Sequence, residues 1–197
     1  MKKFLPLIII AVLAIGIYAW VKGINNTAVT LNENIKESWG NVETAYERRN
    51  SLIENLVNTV KGAADFEKST LEAVVSARSK ATQTTIDPTN ITPEQLAAFS
   101  QAQSGVNSAL SRLLVTVERY PDLKANQNFI KLQDELVSTE NQILTARTRF
   151  NETVKPYNNH IKVFPNNLLA GILGFTEKGY FQASEGAEKA PEEEFNF

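Results

Sequence analysis

Residues 34–61, NIKESWGNVETAYERRNSLIENLVNTVK, place Ile35, Trp39, Val42, Tyr46, Ile53, Leu56 and Val60 at alternating spacings of three and four. That spacing is one face of a helix packed in a bundle, and it excludes the two-residue alternation of a strand. A single charged residue, Arg49, interrupts the seam. Nothing between Trp20 and Val29 breaks the helix, so it is predicted to continue back into the segment before it.

That segment is membrane-like. From Phe4 to Val21 there are 18 residues without a charge, bounded by Lys2-Lys3 and Lys22. As a helix they would span about 27 Å, close to the thickness of a hydrocarbon core. Tyr18 and Trp20 stand at its far end, where amphipathic rings favour the lipid–water boundary. A cleaved signal is the competing reading. The apolar run exceeds a usual signal core, and only a weak Ile17-x-Ala19 site precedes Lys22, so a retained anchor is expected. Lys2 and Lys3 outweigh the lone Lys22, which favours the N-terminus inside and the soluble domain outside the cytoplasm. Ala11, Ala14 and Gly16 are small enough to allow self-association through the anchor, although they do not form a G-x-x-x-G face.

Beyond residue 61 the helical period continues. Gly62 and Asp65 suggest a stop and a new N-cap, and a shorter helix carries Leu71, Val74 and Val75. Residues 83–93 read as a long loop ending in a helix start, with Thr92 as cap, Pro93 in the first helical position and Gln95 completing a capping box. The third helix aligns Leu96, Phe99, Val106, Leu110, Leu113 and Val117, and Pro121 ends it. A fourth starts near Asp122 to Asn126 and buries Phe129, Leu132, Leu136, Ile143, Ala146 and Phe150, with Pro156 expected to end or kink it. Short connections imply antiparallel neighbours. The fold class is therefore all-α: an N-terminal transmembrane helix followed by an up-and-down four-helix bundle. The domains are then 1–22 anchor, 23–181 bundle with an apolar C-terminal extension, and 182–197 acidic flexible tail.

Composition excludes several functions. The chain has no cysteine and one histidine, so disulfides, thiol nucleophiles, di-iron Glu-x-x-His pairs and the usual zinc sets cannot be assembled. His160, just past the last seam, is expected at the surface. Residues 182–197 hold five glutamates and one lysine, whereas residues 23–181 hold 16 Lys/Arg against 17 Asp/Glu. A nearly neutral domain has no basic stripe for phosphates, so nucleic acid is not an expected partner. No phosphate-cradling glycine loop occurs. Asp134-Glu135 are adjacent on a helix and point apart, and Glu192 to Glu194 lie in the tail, so neither forms an acid/base pair. No catalytic, cofactor or metal residue is assigned.

Several strings resemble a known family. They are Ser38-Trp39, Arg48-Arg49, Asn55-Leu56-Val57, Glu118-Arg119-Tyr120-Pro121-Asp122-Leu123-Lys124-Ala125-Asn126, Thr139-Glu140-Asn141, Asn151, Tyr157-Asn158, Phe164-Pro165 and Phe181. Together they resemble the LemA family of bacterial membrane proteins along nearly the whole chain. The resemblance implies a membrane helix followed by a four-helix bundle, located at the bacterial cell membrane as a single-pass protein. It implies no catalytic residues. Glu54, Ala63 and Phe150 depart from the proline, tyrosine and tyrosine common in relatives, and the lost proline favours a straighter first helix.

The expected function is that of a membrane-anchored interaction or scaffold protein, touching lipid through its anchor and an unidentified protein through its helical faces. Trp39 and Arg48 are its candidate exposed contacts, set against a core position for Trp39 and a solvated one for Arg48. The alternative is an enzyme or accessory subunit with a site in residues 158–181. Arg49 carries one further expectation. A guanidinium inside a bundle must snorkel out or meet a carboxylate. Glu118 and Glu140, each beside its own seam, are its candidate partners in a buried polar layer that would fix helix register.

Overall fold

The computed structural model describes residues 4–63 and 66–183. Lys2, Lys3, Asp65 and the acidic tail from Glu185 to Phe197, including Phe195 and Phe197, lie outside the described residues. Among the described residues six helices occur in order: α1 Leu5–Lys61, α2 Lys68–Gln83, α3 Pro93–Val117, α4 Pro121–Lys124, α5 Gln127–Lys162 and α6 Asn167–Ala170. The protein is all-α.

α1 is one unbroken helix of 57 residues. At about 1.5 Å per residue it is roughly 86 Å long, so it carries both the apolar N-terminal segment and a full-length member of the bundle. Its environment changes along its length. Side chains from Leu7 to Tyr18 are exposed, Trp20 is 39% exposed, and Ile24 is buried at 4%. Helix packing therefore begins within a few residues of the apolar segment, with no linker between.

The other helices are arranged by their contacts with this one. Ile24 meets His160, Trp39 meets Phe150 and Arg49 meets Glu140. Numbers that rise on one helix fall on the other, so α5 runs antiparallel to α1. Tyr46 meets Phe99 and Arg49 meets Gln103, where the numbers rise together, so α3 runs parallel to α1. α2 returns from the top of α1 and packs against α3.

Local chemistry sets the ends. Thr92 Oγ1 accepts from the Gln95 backbone N–H and Gln95 Oε1 accepts from that of Thr92, the expected capping box, with Pro93 in the first turn. α2 starts later than Gly62 and Asp65 suggested, with Glu67 at its N-cap. α3 ends at Val117, and Pro121 opens the single turn of α4 instead of merely closing α3. Asn126 Oδ1 then caps α5 through the backbone N–H groups of Asn128 and Phe129.

Of the end or kink expected at Pro156, the end does not occur, because α5 continues through it to Lys162. A proline removes the bond to the carbonyl four residues back, here that of Glu152. Glu152 and Pro156 both lie on the exposed face, so the freed carbonyl faces water. On the opposite face Val154, Tyr157, Asn158 and Ile161 are buried, and that burial offsets the defect. Replacing Pro156 with alanine is therefore expected to stabilise the chain by about 2 kcal/mol. Urea unfolding in detergent followed by circular dichroism would measure it, and an unchanged or lowered midpoint would show that the proline is tuned to a bend the bundle needs.

Candidate functional site

Three helices each break their apolar seam at one level. On α1 the interruption is Arg49, between Tyr46 and Ile53. On α3 it is Gln103, between Phe99 and Val106. On α5 it is Thr139 and Glu140, between Leu136 and Ile143. The core accordingly separates into two clusters. One contains Trp39, Tyr46, Phe99, Phe150 and Phe181, and the other contains Ile53, Leu56, Val106, Leu113 and Leu136.

The Arg49 side chain is 1% exposed, yet it is not isolated. Nη1 donates to Asn107 Oδ1 at 2.9 Å and to Glu140 Oε1 at 3.1 Å, and Nη2 donates to Gln103 Oε1. The guanidinium carbon stands 4.9 Å from the centroid of the Tyr46 ring. Its Nε finds no acceptor among the described residues. Glu140 is 41% exposed and holds the outer edge of the layer. Burial pushes the Tyr46 hydroxyl above its usual pKa, and the neighbouring Arg147 and Arg49 partly oppose the shift.

Glu118 is not part of this layer. It caps the C-terminus of α3, where its carboxylate pairs with Lys124 in the open. The reason is axial register. Glu118 lies 15 residues beyond Gln103 on the same helix, about 22 Å along the axis. Lying beside an apolar seam does not fix a level along it.

The layer opens on a cleft of about 910 Å³ whose far wall is the chain after α6. This strap runs back along α5 and is fixed by two asparagines. Asn158 donates to the Lys178 carbonyl at 2.8 Å and accepts from its N–H at 2.9 Å. Asn151 does the same for Phe181, at 2.9 Å in both directions. Seven helical residues rise about 10.5 Å and three extended residues about 10 Å, so the two amides match the strap's repeat. Phe181 is thereby pressed into the aromatic cluster, 6.1 Å from Trp39 and 5.5 Å from Phe150, with Arg147 over its ring.

On the other side of the strap, Gly179 donates to the Ile91 carbonyl, and a Cβ there would fall 2.9 Å from Pro93 Cα. Only glycine permits that approach. Lys178 is 4% exposed and its Nζ donates to the Thr89 carbonyl, while burial holds its ammonium below the usual lysine pKa.

The remaining candidates also have places. Trp39 is a core residue at 1% exposure and offers no surface contact, whereas Arg48 is solvated. His160 is not a free surface residue. Its Nε2 donates to the Ile24 carbonyl at 3.0 Å and so ties α5 to α1. Sequence reasoning missed Gln103, Asn107 and the Asn151/Asn158 pair. The seven-residue spacing of the two asparagines beside a buried seam was the available signal.

Chemically, the layer offers one guanidinium engaged by three oxygens and one carboxylate engaged by that guanidinium. Among the described residues, no three histidine or acidic side chains gather to hold a metal ion.

The LemA family model matches residues 38–195. Magnetosome protein MamQ 2 of Paramagnetospirillum magneticum is 30% identical over 174 residues, covering 80% of this chain and 64% of that protein. Protein LemA of Metamycoplasma hominis is 27% identical over 179 residues, covering 90% of this chain and 78% of the relative. Magnetosome protein MamQ of Magnetospirillum gryphiswaldense is 28% identical over 173 residues, with 79% and 64% covered. The chain thus spans somewhat less than two thirds of the length of its magnetosome relatives.

The geometry separates the partners of Arg49. Arg49→Ala leaves buried Gln103 without its donor and opens a cavity, for an expected loss of about 3 kcal/mol. Glu140→Ala removes a half-exposed charge and should cost about 1 kcal/mol or less. Chemical denaturation of the two variants checks this, and equal losses would place the energy of the layer in the ion pair instead of the amide contacts.

Proposed function

This chain belongs to the LemA family, and we propose that it acts as a single-pass, membrane-anchored scaffold, a rigid helical rod that displays protein-binding faces above the bilayer. The observation that carries this reading is the continuity of α1. A segment of 18 uncharged residues, exposed from Leu7 to Trp20, passes without a break into the buried seam of the bundle. A soluble protein would not leave so many large apolar side chains in contact with water. A helix continuous across the boundary fixes the bundle axis relative to the bilayer, which a flexible linker would not.

The rod has a defined reach. From Lys22 to Lys61 it extends about 60 Å at the rise of an α-helix, which carries its far end well clear of the headgroups. At that end a groove of about 840 Å³ lies along α2, lined by Phe66, Leu71 and Val75, by Lys61 and Lys80, and by the ion pair of Lys68 with Glu72. An apolar lining beside Lys61 and Lys80 suits a helical partner segment bearing apolar anchors and acidic flanks. The names of the relatives specify no reaction, and the polar groups at the cleft serve to join helices. Both support a binding role over a catalytic one.

The orientation in this proposal has Lys2 and Lys3 inside and residues from Gly23 onward outside the cytoplasm. Protease added to intact spheroplasts is expected to digest the bundle. Protection until lysis would reverse the orientation. For partner binding, Val75→Glu in the groove is expected to abolish a stoichiometric complex that survives detergent extraction from the native membrane. Retention of that complex by the variant would remove the groove from the proposal.

A further inference from the structure

The chain leaves α5 pointing at the membrane. Because α5 is antiparallel to α1, its last turn lies beside the start of the bundle, where His160 bonds to Ile24. Ile24 is three residues past Val21, about 4.5 Å along the helix from the end of the uncharged segment. The chain just beyond Lys162 therefore sits at the bilayer surface when α1 spans it.

That stretch is apolar and faces outward. From Val163 to Thr176 there is no charged residue. Phe164 is 79% exposed, Leu168 59% and Ile172 82%. They recur at every fourth residue along a run of turns that contains one short helix, α6. The segment is nevertheless firmly built. Asn167 donates to the Val163 carbonyl and Leu173 to that of Leu169, Phe175 closes back onto the Ala170 carbonyl, and Asn166 Nδ2 bonds to the His160 carbonyl. Ala170 is buried in the membrane-proximal core cluster. The outward face is thus fixed by an inward one and does not belong to a loose loop. A contiguous apolar face of this kind needs a cover.

Resting on the anchor reading above, we propose that residues 163–174 form a lipid-docking foot, with Phe164, Leu168 and Ile172 seated in the headgroup region of the bilayer that α1 crosses. The occupant is lipid because the face continues the exposed apolar surface of α1 at the same end of the molecule. Interfacial apolar segments bind by burying such faces a few ångströms into the headgroup–acyl boundary. Together the anchor and the foot give the bundle two attachments, which set its tilt and its rotation about α1.

The chain has no cysteine, so single-site labelling needs no prior substitution. Full-length chain carrying Phe164→Cys, Ile172→Cys, Leu13→Cys or Val115→Cys, each with an environment-sensitive fluorophore, is reconstituted in vesicles of phosphatidylethanolamine and phosphatidylglycerol. The vesicles are doped with lipid bearing a nitroxide near the top of its acyl chain or, for the label at 13, near the end of that chain. Labels at 164 and 172 are expected to lose most of their fluorescence to the shallow quencher, while the label at 115, exposed on the far half of α3, keeps its own. Quenching at 13 but not at 164 or 172 overturns the foot and leaves the anchor standing. No quenching at 13 by lipid bearing its nitroxide near the end of the acyl chain overturns the anchor itself. A blue shift at 164 and 172 without lipid quenching, rising with protein-to-lipid ratio, would mean a second copy covers the face and would also overturn the foot.

Discussion

The antiparallel pairing of α1 with α5 is the contact from which the rest of the molecule is hung. It runs from His160 against Ile24 at the membrane end, through Trp39 against Phe150, to Arg49 against Glu140. α3 joins it through the aromatic cluster and the amide side chains of the polar layer, and α2 packs on α3. The strap after α6 lies along α5 and is held by side chains of α5. A substitution that loosens α1 from α5 therefore disturbs every other element, whereas one in α2 affects mainly its contact with α3.

The pairing has two kinds of chemistry with different roles. The apolar clusters supply burial, which is large and indifferent to small slips along the axis. The Arg49 layer supplies little net stability because desolvating a guanidinium is costly. Its value lies in register, since three oxygens from two other helices must arrive at one level. The two asparagines do similar work for the strap, converting helix spacing into the spacing of an extended chain. Phe181 enters the aromatic cluster at one defined place for that reason.

How much of this was legible in the sequence depended on the kind of signal. The helices were readable because a three–four apolar period extends over many turns, and the start of α3 because Thr92, Pro93 and Gln95 form a local code. Of the end or kink expected at Pro156, the end does not occur, because burial on the opposite face outweighs one missing backbone bond. For the polar layer, the charge on Arg49 made the anomaly visible. Its neutral partners Gln103 and Asn107 carry no such mark, and Glu118 was drawn in because a helical pattern gives the face of a residue but not its height against another helix. The strap was the least legible element, since its order comes from asparagines twenty and thirty residues away.

The placement of the bundle above the bilayer depends most on α1 being one rigid helix across the boundary between its apolar segment and the bundle. Spin labels at Tyr18→Cys and Glu47→Cys, both at exposed positions, test this directly in the full chain reconstituted in lipid nanodiscs. Twenty-nine helical residues separate them, so pulsed dipolar spectroscopy should give a single narrow distribution near 44 Å, at about 1.5 Å per residue. A broad distribution, or one centred well below that distance, would mean that the helix breaks where it leaves the bilayer and would contradict the rigid rod.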